Sequence, residues 1–220
     1  MFRRMEDEMK VNEIFNSIMG EVNPYSQGSF ATFIRLHGCN LKCPYCDTDN
    51  LQSVEMSVKD ICKTVSMYGC HKVLITGGEP LQQQKELIKL AKELHYNHFT
   101  VMIETNGTFE IDPKLRVSVS SFIVDYKLPS SGILVQGKEE WFKELWSDDY
   151  IKFVISNWED YYIAKEKVKQ WKSDEFIPPQ IAFSPVHDNL SIHSLIETMK
   201  EDKLFNIILN VQIHKYINVR

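Results

Sequence analysis

The chain has 220 residues, 43% of them hydrophobic and 25% charged, which gives enough apolar surface for a sizeable core and excludes a disordered composition. Twenty-five Lys and Arg against thirty Asp and Glu leave a net charge of −5, which argues against a protein that coats nucleic acid. No apolar run approaches the ~18 residues of a membrane span, and the N-terminus lacks the apolar stretch of a secretory signal, so no membrane association and a cytoplasmic location are expected. Residues 1–9 read as a leader outside the fold, and residues 10–220 as a single domain.

Residues 29–37 have the alternation of a strand, with Phe30, Thr32, Ile34 and Leu36 on one face and Phe33 and Arg35 on the other. Ser57 is placed to cap a helix whose stripe is Val58, Ile61, Cys62 and Val65. Residues 72–76 form a short apolar strand, and Leu87, Leu90, Ala91 and Leu94 mark the next helix. Strands are expected over 99–103 and 117–124, then a helix with the stripe Trp141, Phe142, Leu145 and Trp146. Residues 150–155 read as a strand, and Trp158, Tyr161, Tyr162, Val168 and Trp171 as a long helix. A strand at 180–183 and a helix through Ile192, Leu195, Ile196 and Met199 follow. The last strand, 206–213, alternates Ile207, Leu209, Val211 and Ile213 against Asn210 and Gln212, and a polar strand face suggests a wet cavity. Repeated strand–helix units predict parallel strands with right-handed crossovers. About six such strands fall short of the eight of a closed barrel, so an incomplete (β/α) barrel is expected, with a doubly wound sheet as the alternative. Either fold puts the active site at the carboxyl ends of the strands.

The unusual residues fall in those loops. Just past the first long strand stand Cys39, Cys43 and Cys46, spaced C-x3-C-x2-C, three of five cysteines in the chain. An odd count so clustered fits a metal or redox role better than a disulfide frame. Three thiolates on one tight loop can hold three corners of a cubane iron–sulfur cluster, leaving one iron open. Tyr45 can cover such a cluster or pack on a bound ring. A structural zinc site is the other reading, and would need a fourth ligand from His37, Cys62 or Cys70. Directly after the strand at 72–76 comes Gly77-Gly78-Glu79-Pro80. Two glycines let a backbone edge approach a ligand, and Pro80 can open the next helix.

Together, the cysteine loop and the Gly-Gly-Glu-Pro turn resemble the radical S-adenosylmethionine (SAM) superfamily. The resemblance implies a [4Fe-4S] cluster on Cys39, Cys43 and Cys46, with SAM bound at the open iron. It also implies reductive cleavage of SAM to a hydrogen-abstracting 5′-deoxyadenosyl radical. Within that superfamily, four segments narrow the match: Glu13-Ile14-Phe15-Asn16-Ser17-Ile18-Met19-Gly20-Glu21, Phe33-Ile34-Arg35-Leu36-His37-Gly38-Cys39, Cys46-Asp47-Thr48 and Gln212-Ile213-His214-Lys215. They are similar to the 7-carboxy-7-deazaguanine synthase family, over nearly the whole chain from Lys10 onward.

That resemblance implies a lyase of queuosine and 7-deazapurine biosynthesis. It would convert 6-carboxy-5,6,7,8-tetrahydropterin to 7-carboxy-7-deazaguanine with loss of ammonia, regenerating SAM with magnesium assisting. Arg35 is then expected to hold the substrate carboxylate in a two-pronged bond, and Thr48 to offer magnesium a hard oxygen. Ile18, Met19, Gly20 and Thr76 are expected at the pterin, with Gln212 and His214 as further candidates. The SAM residues implied are Tyr45, Gly77, Gly78, Glu79, Glu104, Asn106, Asp125, Lys127, Ser184 and His187. Three positions depart from the family pattern. Met19 stands where relatives carry Gln, Asp125 opens a Ser-x-Lys segment, and Ser184 to His187 replace Gln-Pro-x-Asp. A homodimer and a flavodoxin- or ferredoxin-like electron donor are the implied partners. Two other readings remain at this point: a glycyl-radical-enzyme activating enzyme, and a zinc-stabilised binding module without catalysis.

Overall fold

Short apolar strands, buried through their middles at Lys72–Gly77, Thr100–Thr105, Ser121–Tyr126 and Gln180–Pro185, assemble with the flanking strands into one nine-stranded mixed sheet. It is seen in a computed structural model that describes residues 8–46, 48, 52–133, 139–174 and 179–219. The strands are β1 (Glu8–Ile18), β2 (Phe30–Leu36), β3 (Val54–Ser57), β4 (Lys72–Gly77), β5 (Thr100–Thr105), β6 (Ser121–Tyr126), β7 (Tyr150–Ile155), β8 (Gln180–Pro185) and β9 (Ile208–Leu209). Their order is β3-β1-β2-β4-β5-β6-β7-β8-β9. From β2 to β9 every neighbouring pair is parallel, while β1 pairs antiparallel with both β2 and β3. The two ends of the sheet do not meet, which makes it an incomplete barrel.

The helices are α1 (Val58–Met67), α2 (Gln84–Tyr96), α3 (Pro113–Arg116), α4 (Trp158–Ser173), α5 (Ile192–Glu201) and α6 (Ile213–Tyr216). Helices α1 to α5 cover one face, and α6 docks at the mouth of the concave side. Ser57 caps α1 by accepting from the Asp60 N–H at 3.1 Å, and Val58, Ile61 and Val65 turn inward. The main core joins Ile34, Ile75, Ile103, Val124 and Phe153 of the sheet to Leu87, Leu90 and Leu94 of α2 and to Tyr161 and Val168 of α4. On the opposite face, Met19, Ala31, Leu74, Met102, Ile123 and Ala182 form a smaller cluster. Strand parity thus divides helix-packed residues from those that look into the concave side.

Several expectations are corrected. Glu8 and Met9 belong to β1, paired with Ser57 and Met56, and Met9 is fully buried, so the leader ends before them. Residues 1–7 lie outside the described residues. The antiparallel pair β1 and β3 was not anticipated, because Glu13 and Asn16 interrupt the apolar alternation of β1. The strand expected from 117 begins only at Ser121: Asp112 caps α3 through the Lys114 N–H at 2.7 Å, and Val117 is exposed. The Trp141 stripe sits on a 3-10 helix, Glu139–Glu144. In α4 the buried stripe is Tyr161, Ala164, Val168 and Trp171, with Tyr162 exposed. The last strand shortens to Ile208–Leu209, because the chain then turns to dock α6, the Ile213 N–H donating to the Gly20 carbonyl at 3.1 Å.

One buried ion pair fixes where β6 and β7 begin. Arg116 Nη1 donates to both oxygens of Asp149, at 2.9 and 2.7 Å. Asp149 also accepts from the backbone N–H groups of Phe122 and Trp146, both at 2.7 Å. The guanidinium lies 4.7 Å from the Phe122 ring centre and 4.1 Å from that of Trp146. Removing Asp149 would strand a buried cation and two backbone donors. Asp149→Ala is therefore expected to destabilise the fold by about 3–5 kcal/mol, read as a drop in the chemical-denaturation free energy.

Candidate active site

A cavity of about 210 Å³ opens at the carboxyl ends of the parallel strands. Strand β2 leaves the sheet through Gly38 into the cysteine loop, and β4 leaves through Gly77 and Gly78. These two exits touch. The Gly78 N–H donates to the Leu36 carbonyl at 2.9 Å, and the Glu79 N–H to the Gly38 carbonyl at 2.7 Å. A Cβ at Gly78 would overlap the Gly38 carbonyl, and one at Gly77 the Leu36 backbone. Gly77 also has φ +120°, a value closed to other residues.

Glu79 is not brought to the cavity. Its carboxylate is buried beneath the turn and accepts from the Leu81 N–H at 2.8 Å, the Thr105 hydroxyl at 2.9 Å and the Asn106 N–H at 2.6 Å. Burial raises its pKa, outweighing those hydrogen bonds. It thereby ties the end of β4 to the end of β5. Asn106 continues the chain of contacts, donating to Asn40 Oδ1 at 2.9 Å and to Cys39 Sγ at 3.7 Å. Met19 is likewise buried, in the smaller cluster, though its N–H and carbonyl pair with Ser29 and Gly28 at 2.8 Å each. His187 faces Asp188 and the Tyr216 ring instead of the cavity.

The other residues singled out from the sequence line that one cavity: Cys39, Cys43, Tyr45, Cys46 and Thr48 on the loop; Ile18, Gly20 and Arg35 from β1 and β2; Thr76, Gly77 and Gly78 from β4. Glu104, Asn106, Asp125, Lys127 and Ser184 join them from β5 to β8, and Gln212 and His214 from the C-terminal segment. His214 gets there on α6, not on a strand, and its ring stands where a Cβ at Gly20 would be. Arg35 Nε donates to Glu13 Oε1 at 2.9 Å, and its Nη1 to Thr48 Oγ1 at 3.4 Å. Burial pushes the Tyr45 phenol up to about 12, with Lys127 opposing. Asp47 lies outside the described residues.

Charged groups at the floor escaped the sequence reading. Lys152 pairs with Glu21 and, at 3.0 Å, with Asp125 Oδ1, and Lys127 pairs with Asp125 Oδ2 at 2.6 Å. Gln212 donates to Glu21 as well. The available signal was a lysine in the middle of the apolar run Tyr150 to Ile155, on the parity opposite Ile151 and Phe153. Glu21 stood in the opening motif without an assigned role, and Lys215 beside His214 also reaches the cavity.

Residues 33–117 match the model of the Radical SAM superfamily. The chain is 37% identical over 215 residues to the 7-carboxy-7-deazaguanine synthase of Clostridium acetobutylicum, covering 94% of this chain and 95% of that one. Its identity to the enzyme of that name from Methanospirillum hungatei is 33% over 215 residues, 96% of this chain and 86% of that one. The chain belongs to the 7-carboxy-7-deazaguanine synthase family. Its fold agrees with the crystal structure of QueE from Escherichia coli at a TM-score of 0.71 and 26% identity, covering 93% of both chains.

Radical SAM enzymes work with a [4Fe-4S] cluster and SAM, and the donor set of this synthase suits them. Cys39, Cys43 and Cys46 are free thiols, two exposed and one half-buried, on the wall of one cavity. Among the described residues no three Cys, His, Asp or Glu side chains converge on a single ion. The corners of a cubane do not need such convergence, since each thiolate holds its own iron. Cys62 packs against the main core, where burial lifts its thiol to about 11, followed by repulsion from Glu93.

Glu104 supplies a pH test. It accepts from Thr76 Oγ1 at 2.8 Å, and burial, then the charge of Glu21, push it up to about 7 against the attraction of Lys152. A raised folded-state value means its contribution to stability is complete below its ordinary value of about 4.3 and is lost as pH rises through about 7. Glu104→Gln is expected to flatten the pH dependence of the unfolding midpoint between about pH 5 and 8. Thermal melts of the apoprotein across that range measure it.

Proposed function

We propose that the chain converts 6-carboxy-5,6,7,8-tetrahydropterin to 7-carboxy-7-deazaguanine with loss of ammonia, in queuosine and 7-deazapurine biosynthesis. The observation that carries this reading is the Arg35–Thr48 pair, set in the same cavity wall as the three thiols and the Gly77–Gly78 edge. Cys39, Cys43 and Cys46 would hold the cluster, and the backbone edge at Gly77 and Gly78 would meet the amino acid end of SAM. Cluster and SAM together supply the radical that takes hydrogen from the substrate.

The remaining residues bind and orient. Arg35 is braced by Glu13 at 2.9 Å and lies 5.6 Å from the centre of the Phe15 ring, so its fork is held stiffly for a carboxylate. Thr48 Oγ1 stands beside Nη1 of that fork. A carboxylate gripped by Arg35 would therefore reach a magnesium ion on Thr48, completing a shell of substrate and water oxygens. Ile18 and Gly20 would flank the pterin on one side, and Thr76 on another. Gln212 and His214, carried by the segment docked on Gly20, would close the far side. Tyr45, Asn106, Asp125, Lys127 and Ser184 would surround SAM. The same reading makes the chain from Glu8 onward one radical SAM domain, working in the cytoplasm as a homodimer with a flavodoxin- or ferredoxin-like donor. Among the described residues no helix is long and apolar enough to cross a membrane.

The test is anaerobic turnover of reconstituted protein with SAM, dithionite, magnesium and the carboxypterin, read by mass spectrometry. A product lighter than substrate by ammonia, formed many times per enzyme with little SAM consumed, is expected. SAM cleavage without that product would overturn the pterin assignment. In the same assay Arg35→Lys should raise KM on the order of tenfold or more. Thr48→Ala should raise the magnesium needed for half-maximal rate on the order of tenfold.

A further inference from the structure

Lys152 is a charged residue that the fold does not need. In β7 its neighbours Ile151, Phe153 and Ile155 are fully buried in the main core, while Lys152 faces the cavity and is only 5% exposed. Removing an ammonium from water costs several kcal/mol, and an apolar side chain of similar volume often stabilises a fold as well or better. Ile123 and Ala182, on the strands either side of β7, belong to an apolar cluster that would accommodate such a replacement.

What the ammonium does is join the cavity's walls. It pairs with Glu21, from the loop after β1, and with Asp125 Oδ1 at the end of β6, at 3.0 Å. Those two carboxylates are each held by a second group: Glu21 by Gln212 and by Asn210 at 3.4 Å, Asp125 by Lys127 at 2.6 Å. Asn210 is in turn fixed to Ser184 Oγ at 3.0 Å and accepts from the Val22 N–H at 3.0 Å. Lys152 thus joins the Glu21 side of the cavity directly to the Asp125 side.

We propose that Lys152 is a positioning residue for the reaction, its ammonium holding the carboxylates of Glu21 and Asp125 in one arrangement that sets both the substrate wall and the SAM wall of the cavity. The inference rests on the pterin and SAM reading of that cavity. The charged groups facing Lys152 are Glu21, Glu104 of β5 and Asp125, with Lys127 behind Asp125. Burial alone would lower the Lys152 pKa, but the attraction of Asp125, Glu21 and Glu104 outweighs it and holds the ammonium charged. Without that charge, the three carboxylates would lose the cation that pairs with two of them directly. Proton uptake would turn acceptors into donors and alter which ligand N–H groups the walls can receive.

The test compares wild type with Lys152→Met, Glu21→Gln and the double variant, all reconstituted with cluster and SAM and assayed on the carboxypterin from pH 6 to 9. Lys152→Met is expected to keep its unfolding midpoint while KM rises on the order of tenfold. The acid limb of its kcat/KM profile should move up by about one pH unit or more. In the Glu21→Gln background the same change should have much less effect, because the carboxylate it acts through is gone. A Lys152→Met enzyme with wild-type KM, kcat and pH profile, or fully additive effects in the double variant, would overturn the inference. Where Lys152→Met does not fold, the Glu21→Gln enzyme decides: wild-type KM and pH limb in that folded variant would also overturn the inference, because the carboxylate through which Lys152 acts would then set nothing. A wild-type enzyme that cleaves SAM but makes no product from the pterin would instead remove the reading on which the inference stands.

Discussion

The close backbone approach between the exits of β2 and β4 is the constraint on which the site depends. Parallel neighbours put the cysteine loop and the Gly-Gly turn at the same end of the sheet, but adjacency alone leaves room for a side chain between them. Gly78 removes that room, so its N–H reaches Leu36 and the following N–H reaches Gly38. The buried carboxylate of Glu79 then extends the clamp sideways to Thr105 and Asn106 at the end of β5. Three successive strand ends are thereby locked to one another before any ligand binds. That is the preorganisation a site needs when its ligands must be placed to a fraction of an ångström. It also gives Glu79 a role away from the cavity: its buried carboxylate supports the turn whose glycines approach the end of β2.

The same sheet arithmetic produces the polarity of the cavity. Residues at one parity of β4 to β8 meet the helices and are apolar. The other parity carries Leu74, Met102, Ile123 and Ala182 at mid-strand and gives way to Thr76, Glu104, Asp125 and Ser184 at the carboxyl ends. The floor is therefore largely apolar, with Lys152 set into it from β7, and the mouth is ionic. Charges placed over such a floor interact strongly, because little water screens them. The raised Glu104 and the lowered Asp125 show it: both are buried, which raises either carboxyl, but Lys127 and Lys152 reverse the shift at Asp125 while Glu104 has Glu21 against it.

Much of this was legible in the sequence because it is carried by local signals. The C-x3-C-x2-C spacing and the Gly-Gly-Glu-Pro turn are contiguous, and strands β4, β5, β7 and β8 are short apolar runs with plain boundaries. What was not legible depends on partners far along the chain. β1 mixes Lys10, Asn12, Glu13 and Asn16 into its alternation, since it is covered unevenly by β2 and β3; only Met9 and Val11 are drawn fully inward near its start. The clean alternation of 206–213 indicated a long strand, yet Asn210 turns in to bond Ser184 and Val22, and α6 follows. Gln212 still lines the cavity, while Asn210 is fully buried beside it, so the parity argument placed one of the two polar residues although the element was wrong. Lys152 is hidden for the opposite reason: it stands inside an otherwise apolar run, and only its chemistry, not its spacing, marks the place.

Docking of α6 onto the β1–β2 loop shows how the wall that contains Met19 is built. The Met19 N–H and carbonyl are both engaged in pairing across the loop, with Ser29 and Gly28. Its side chain points into the apolar cluster, where a glutamine amide would need partners that Val22, Ala31 and Leu74 do not supply. Next along, Gly20 has no side chain because the His214 ring occupies that space, while its carbonyl accepts from the Ile213 N–H and from Gln27 Nε2 at 2.7 Å. Gln27 also donates to the Val211 carbonyl. The shape of this wall is therefore set by main-chain hydrogen bonds and one glycine. The side chain at position 19 contributes burial in the apolar cluster, while the docking of α6 rests on Gly20, Gln27 and His214.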